Sequence, residues 1–112
     1  MRGEVYRVKF PRGARGHEQS GARFAVAVQS DLLPLSTWLV APTSTSARPA
    51  SFRPEVVVEG RPTRVLAEQT AAGDPERLGD AAGVLTFDEL RQVDAALRVV
   101  LGLYLTRSPI PE

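Results

Sequence analysis

Cysteine is absent from this chain of 112 residues, and histidine and lysine each occur once. Without thiols there is neither a disulfide framework nor a thiolate metal site. The single imidazole, His17, argues against a structural zinc site and against a histidine dyad. The lack of cysteine fits a reducing compartment, so we expect a cytoplasmic protein, and nothing in the composition indicates a metal or a cofactor.

Long apolar runs are also missing. No stretch approaches the ~18 apolar residues of a membrane span, and the start of the chain lacks the apolar segment of a signal peptide. Apolar residues make up 43% and charged residues 24%, which is ordinary for a soluble globular protein that has no membrane partner. The length predicts a single domain at residues 1–105, with a loose tail at 106–112.

Positive charge is carried almost entirely by arginine. Lys9 is the one lysine among fourteen basic residues, and the formal net charge is +1. This balance gives no bulk attraction to nucleic acid, although arginine suits bidentate contact with phosphate and stacking on bases. A GC-rich genome produces the same excess, so it is only weak evidence for a nucleic-acid partner.

Short runs of apolar and β-branched residues, separated by turn signals, predict a mostly antiparallel β protein. Pro42 is expected to stop one strand, and Glu59-Gly60-Arg61-Pro62 is expected to form a turn between two others. The predicted strands are residues 4–10, 24–29, 37–41, 55–58, 64–67 and 83–85. Strands of this number and length indicate a small, strongly curved sheet or barrel.

The clearest single element is a C-terminal helix. Thr86 and Glu89 have the spacing of a capping box, and Gly102 can end the helix. Apolar residues follow at spacings of three and four and form one stripe: Leu90, Val93, Leu97, Val100 and Leu101. The predicted fold class is therefore mainly β, a small curved antiparallel sheet or barrel with a C-terminal helix.

Residues 15–45 carry the most informative pattern. A polar, glycine-rich loop leads to Arg23 at the start of one predicted strand, and the next strand ends on the hydroxyls of Thr43, Ser44 and Thr45. If these strands pair, a guanidinium and a hydroxyl converge at one end of the sheet. Forked guanidinium donors and an added hydroxyl suit the binding of a phosphodiester.

Several motifs follow one another in a recognisable order. They are Arg2-Gly-Glu-Val-Tyr, Gly16-x-Glu18-Gln19-x-Gly21-x-Arg23, Val28-x-Ser30-Asp31, Val40-Ala-Pro-Thr43-Ser-Thr, Leu66-Ala-Glu-Gln69 and Asp74-x-x-Arg77-Leu78. No single motif is specific. Together with the capped helix they span about residues 2–103. In their order and approximate spacing, these motifs resemble those of the MazF/PemK-like toxins. These are sequence-specific endoribonucleases, or mRNA interferases, of bacterial type II toxin–antitoxin modules.

The resemblance implies an SH3-like barrel with helices that assembles as a homodimer. It implies metal-independent cleavage of single-stranded RNA (mRNA, or else rRNA or tRNA), in which the 2′-hydroxyl attacks phosphorus and leaves a 2′,3′-cyclic phosphate and a 5′-hydroxyl. The implied partners are single-stranded RNA and a cognate antitoxin, whose extended segment occupies the RNA-binding groove.

Two positions depart from the family's pattern. Phe24 stands where the family usually has proline, so Arg23 is expected to be less rigidly posed. Gly73 stands where an apolar residue is usual, so we expect a mobile or locally rearranged segment around it.

Arg23 is the first candidate for binding the phosphoryl oxygens, and Thr43 is predicted to add a hydroxyl donor. Ser44 takes that role if the register is off by one. Preorganised donors of this kind are worth about 3–4 kcal/mol of transition-state stabilisation. Glu18 is the third predicted catalytic residue, with an equal chance that it only pairs with Arg15 or Arg23 to hold the loop.

The identity of the general base stays open. An arginine pKa above about 12 makes Arg23 a costly base, although family accounts assign acid–base duty to the matching arginine. His17 or Glu18 could serve instead, but neighbours on an extended loop point to opposite sides. The predicted substrate-binding residues are His17, Gln19, Ser44, Thr45 and Gln69. Gln69 either reads a base edge or satisfies a strand end.

Two other function classes remain possible on this kind of barrel. A CcdB-like toxin binds DNA gyrase without being an enzyme, and the fold alone does not separate it from a nuclease. The pairing of Arg23 with Thr43 favours the nuclease. An SH3-like peptide-binding module needs an exposed aromatic groove, which a chain with 6% aromatic residues is poorly equipped to build.

Overall fold

A computed structural model describes residues 1–9 and 23–103 of the chain. The predicted site residues His17, Glu18 and Gln19, and the predicted tail, lie outside this part. The described elements, in chain order, are β1 (Glu4–Val8), β2 (Phe24–Ala27), β3 (Trp38–Ser44), β4 (Glu55–Val58), β5 (Arg61–Val65), β6 (Ala71–Gly73), β7 (Leu78–Val84) and the helix α1 (Phe87–Leu101).

The seven strands of the described residues form one antiparallel sheet in the order β4-β5-β3-β2-β1-β7, with β6 as an extra partner of β3. Along one edge β3 pairs with β2. Along its other edge β3 pairs with β6 through its first three residues and with β5 through Thr43 and Ser44. The sheet curls into a half-barrel, which confirms the predicted fold class.

One face of the sheet packs with α1 around an aliphatic core. Its largest fully buried side chains are valines: Val5, Val26, Val56, Val65 and Val93. The period of two is clear in β4, where Val57 is 55% exposed between two buried valines. Among the described helices, none is both long and apolar enough to cross a membrane.

The helix largely follows the predicted stripe. Val93 is buried, while Leu90 and Leu97 pack against the core at its edge. Leu101, at the C-terminal end of the predicted stripe, is 63% exposed, whereas Ala96 is buried. A small side chain there lets the helix approach the sheet.

Pro42 lies inside β3, so the prediction that it stops this strand is wrong. It stands opposite Ala25 of β2, and its carbonyl accepts a hydrogen bond of 2.8 Å from the Leu66 N–H on the opposite edge. The N and C=O of one residue in an antiparallel strand point to the same side. The missing N–H therefore falls where β3 changes partner from β6 to β5, and no bond of the β2 ladder is lost.

The predicted turn between β4 and β5 is a two-residue hairpin. Glu59 and Gly60 have φ values of 52° and 80°, and Val58 pairs with Arg61 across them. Two positive φ values are typical of a type I′ turn, which matches the twist of the strands. The Glu59 carboxylate accepts two hydrogen bonds of 2.8 Å from Arg7 of β1, which ties the hairpin to the rest of the sheet.

The segment after β5 holds more structure than its sequence predicts. Gly73 pairs with Trp38 in β6, and a Cβ added to it would meet nothing within 4 Å, so packing does not require glycine there. Asp74 then caps a short 3-10 turn by accepting from the Glu76 N–H at 2.9 Å. The following strand, β7, begins earlier than the predicted piece at residues 83–85.

The connection between β3 and β4 is held by an ion pair. Arg53 donates from Nε and Nη2 to one oxygen of Glu68, at 2.9 and 2.6 Å, and both side chains are 26% exposed. These bonds hold the pKa of the Glu68 carboxyl below its usual range, against the opposing effect of burial. The end of this long connection is thereby fastened to the turn that follows β5.

The helix begins with the predicted capping box. The Thr86 hydroxyl accepts from the Glu89 N–H, and Glu89 Oε1 accepts from the Thr86 N–H. The second carboxylate oxygen of Glu89 accepts from the Val57 N–H at 2.9 Å, which joins the helix start to the edge strand β4. Gly102, with a φ of 72°, ends the helix as predicted.

We expect Thr86→Ala to lower the free energy of unfolding by about 1 kcal/mol, because the first helical turn loses its cap. Glu89→Ala should cost more, about 2 kcal/mol, because two backbone N–H groups lose their acceptor. Urea unfolding measures both losses, and Thr86→Ser should restore the cap as the matched control. Equal losses for the two alanine variants would contradict the link to β4.

We expect Glu68→Gln to cost about 1–3 kcal/mol at neutral pH, because Arg53 loses its charged acceptor. The pKa of Glu68 is lower in the folded state than the ordinary 4.5, so its stabilisation is present above that value and is lost as the pH falls through the folded pKa. Urea unfolding at a series of pH values should therefore show the gap between wild type and variant shrinking as acid is added. Glu76→Gln is the matched control, and a gap that does not change with pH would contradict the assignment.

Candidate functional site

The pairing of β2 with β3 sets the geometry of the candidate site. Ala25 lies opposite Pro42, and continuing this register by two residues sets Arg23 opposite Ser44. The Arg23 carbonyl accepts a hydrogen bond of 3.0 Å from the Val8 N–H, so pairing with β1 reaches this residue too. The Arg23 side chain is exposed, and it lies at the strand end beside the hydroxyl cluster.

Thr43 precedes Ser44 in β3, and its side chain faces the core. Its side chain is 3% exposed, and its hydroxyl donates to the Phe24 carbonyl at 3.3 Å. It pairs with the buried Val65 of β5. Because successive side chains of a strand point to opposite faces, Thr43 and Arg23 lie on opposite faces of the sheet in this register.

Ser44 presents its hydroxyl on the face opposite the core. Its Oγ accepts from the Ser46 N–H at 3.2 Å and lies 3.4 Å from the Ser46 Oγ. A backbone donor to the oxygen fixes its position and leaves its O–H able to donate. Ser44 is thus a held but partly accessible hydroxyl directly across from Arg23.

A second arginine flanks Ser44 on its other side. Arg64 of β5 pairs with Ser44, and its Nη1 donates to the Arg53 carbonyl at 2.8 Å. Directly opposed residues of antiparallel strands share a face, so Arg23, Ser44 and Arg64 form a cross-strand line that we term the arginine–serine row. Arg64 is not among the site residues predicted from the sequence. Its neighbours Thr63 and Val65 are apolar or β-branched residues typical of core positions, and their alternation places Arg64 on the outer face.

The other predicted site residues within the described part lie beside this row or away from it. Thr45 is exposed, one residue beyond Ser44. Gln69 is exposed and ends a 3-10 turn at Ala67–Gln69, where its N–H donates to the Leu66 carbonyl at 2.9 Å. Both remain predicted RNA contacts.

Phe24 gives the strand start a packing role that proline could not provide. Its ring packs against the edge of the core, and the Arg7 guanidinium lies 5.3 Å from the ring centroid. This contact fixes the residue next to Arg23 by packing instead of by a proline ring.

Tyr6 and Trp38 form an aromatic pair on the same outer face as Arg23. Tyr6 pairs with Ala25, and its ring centroid lies 5.8 Å from that of Trp38, with the planes tilted by 53°. Burial, and then a hydrogen bond of 2.5 Å to Glu4, raise the pKa of Tyr6 to about 12. The phenol therefore stays neutral, and Tyr6 lies across from Ala25, two residues along β2 from Arg23.

Residues 1–101 match the family model described as PemK-like, MazF-like toxin of type II toxin-antitoxin system. A candidate toxin of Mycobacterium tuberculosis (strain ATCC 25618 / H37Rv), Rv3098A, is 45% identical over 104 residues, which covers 92% of this chain and 98% of that protein. Its identity and coverage agree with the family match over nearly the whole chain.

Solved structures share the fold. An endoribonuclease from a mycobacterial species, in complex with its cognate antitoxin, has a TM-score of 0.75 at 20% identity and covers 95% of this chain and 98% of that one. MazF from Deinococcus radiodurans has a TM-score of 0.71 at 23% identity, covering 91% and 96%. The toxin MazF-mt6 of Mycobacterium tuberculosis has a TM-score of 0.72 at 17% identity, covering 90% and 98%. The family match over residues 1–101 and the 45% identical mycobacterial relative show that this chain belongs to the PemK-like, MazF-like toxins of type II toxin–antitoxin systems.

Proposed function

We propose that this protein is an endoribonuclease that cleaves single-stranded RNA without a metal ion. The 2′-hydroxyl attacks the adjacent phosphorus, the bond to the 5′-oxygen breaks, and a 2′,3′-cyclic phosphate and a 5′-hydroxyl remain. The observation that carries the proposal is the register of β2 against β3, which, continued by two residues, sets Arg23 across from Ser44. Family membership and the fold shared with a solved endoribonuclease support it.

The chemistry needs donors where negative charge develops. As phosphorus becomes five-coordinate, charge builds on its non-bridging oxygens, and Arg23 offers forked N–H donors to them. A hydroxyl at the end of β3 adds one more donor from a second strand. Because the two residues come from neighbouring strands, their backbones are held about 5 Å apart before substrate binds.

We assign the hydroxyl contact to Ser44 in preference to Thr43. Ser44 is partly accessible and lies across from Arg23, while the Thr43 hydroxyl is occupied by the Phe24 carbonyl within the core. Thr43, which the motif favours, stays the alternative. Using it would require β3 to slip by one residue or twist locally against β2.

The proton transfers are assigned to the loop that leads into Arg23. Glu18 is our proposed third catalytic residue, with His17 as the alternative base, because a carboxylate or an imidazole can accept the 2′-proton near neutral pH. The proton it accepts is then returned to the leaving 5′-oxygen, which becomes the 5′-hydroxyl. Gln19, Thr45 and Gln69 are proposed to bind the RNA. Arg23 keeps a purely electrostatic role, since its deprotonation is costly.

The proposed partners follow from the family. A cognate antitoxin is proposed because a solved relative is an endoribonuclease bound to its cognate antitoxin. A homodimer is proposed because the sequence motifs resemble those of dimeric toxins. RNA and antitoxin are both found in the cytoplasm, where we propose that the protein acts.

The test is cleavage of a long transcript by purified protein in EDTA, followed by mapping of the cut ends. We expect cyclic phosphate ends, and losses of about 10²–10³-fold in rate for Arg23→Ala and for Ser44→Ala. Thr43→Val is the matched control, because it keeps the buried shape and removes only the hydroxyl. It should cut at nearly the wild-type rate.

Three results would count against parts of the proposal. Cleavage only after metal addition would exclude the mechanism. Normal cleavage by Ser44→Ala with loss in Thr43→Val would return the hydroxyl role to Thr43. A wild-type protein that cuts no RNA but traps gyrase on DNA would favour the CcdB-like alternative.

A further inference from the structure

We propose, resting on the function above, that Arg64 forms a second phosphate-binding site, which holds the RNA phosphate next to the one that is cleaved. In this arrangement the arginine–serine row binds two successive phosphates of the strand. Arg23 and Ser44 contact the scissile phosphate, and Arg64 contacts its neighbour.

The order of the strands separates the two arginines. Arg23, Ser44 and Arg64 lie on β2, β3 and β5, so the Cα atoms of the arginines are about 10 Å apart, or two inter-strand spacings. The Arg64 guanidinium bonds to the Arg53 carbonyl and approaches Glu55 of β4, so it leans away from Arg23. Because the Arg64 guanidinium is directed toward β4, away from the strand that carries Arg23, the two residues suit neighbouring phosphates better than a single one.

The guanidinium of Arg64 is also preorganised. Its side chain is 24% exposed, and the Arg53 carbonyl that holds it belongs to a residue whose own side chain is fixed by Glu68 and by the Arg48 carbonyl. A guanidinium has five N–H donors, and the contacts to Arg53 and Glu55 engage only two of its nitrogens. Within the described residues it can therefore bind an oxyanion without giving up its anchor.

Glu55 is the group that RNA would displace. Its carboxylate lies 3.4 Å from Arg64 Nη2 and is 57% exposed, whereas charge-assisted N–H···O bonds are typically about 2.7–2.9 Å. A long, solvated contact of this kind is weak. A phosphate, with several acceptor oxygens, can replace this carboxylate at little cost, so Glu55 competes with RNA for Arg64.

The test measures binding of a mixed-sequence 2′-O-methyl RNA, which cannot be cleaved, over a series of KCl concentrations. We expect Arg64→Gln to weaken binding by about tenfold or more and to reduce the slope of log K against log salt by about 0.7, the value for one phosphate contact of a single strand. Arg61→Gln removes the same charge at the far, exposed end of β5, and it should leave the slope unchanged. Unfolding curves confirm that both variants fold.

Glu55→Gln tests the same contact from the carboxylate side. Removing the competing carboxylate should tighten binding by about two- to fivefold, and the effect should disappear in the Arg64→Gln background. A loss of affinity in Arg64→Gln at unchanged salt slope would assign Arg64 a purely structural role and overturn the inference. Wild-type protein that binds and cuts RNA, with Arg64→Gln matching it in affinity and slope, would overturn it while leaving the proposed function intact. Wild-type protein that binds no RNA would overturn both.

Discussion

The register of β3 between β2 and β5 is the constraint on which the site depends. In a strand with a period of two, a register fixes which side chains face the core and which face outward. Here it buries Thr43 against Val65 and exposes Ser44 between two arginines. A slip of one residue would exchange the two hydroxyls and bring a buried core position to the surface. The same packing that stabilises the core therefore selects the hydroxyl available for chemistry.

Carboxylates near the arginines of the outer face balance their positive charge, which agrees with the nearly neutral charge of the whole chain. Glu55, Arg64, Arg53 and Glu68 form a chain of contacts in which each guanidinium has a carboxylate or a carbonyl partner. The pairs at its two ends differ. The Arg53–Glu68 pair is short and shielded and holds a loop, whereas the Arg64–Glu55 pair is long and exposed. Exchange with an anion is easy only at the second, so structural and binding roles are divided between neighbouring arginines.

Local signals predicted the elements whose structure is set locally. The capping box at Thr86, the helix end at Gly102 and the strand at Glu55–Val58 are all present, because caps, turns and period-two burial can be read from a few adjacent residues. Pro42 within β3 and the short strand β6 were not predicted, since both depend on which strand lies alongside. The sequence likewise predicted an arginine and a hydroxyl at one sheet end and favoured Thr43, whereas the register exposes Ser44. That choice, and the role of Arg64, require the cross-strand register.

A fold shared with a solved endoribonuclease does not by itself make a nuclease, because one barrel can carry several activities. The outer face of this chain offers one guanidinium group on each side of a held hydroxyl, with Arg23 and Arg64 flanking Ser44. Arginine is common at protein interfaces as well, but forked guanidinium donors in a row match the oxygens of successive phosphates, which supports the proposed RNA ligand. Within the proposed function, the divided roles of Arg23 and Arg64 are therefore the feature that would separate an RNA-binding barrel from a gyrase-binding one.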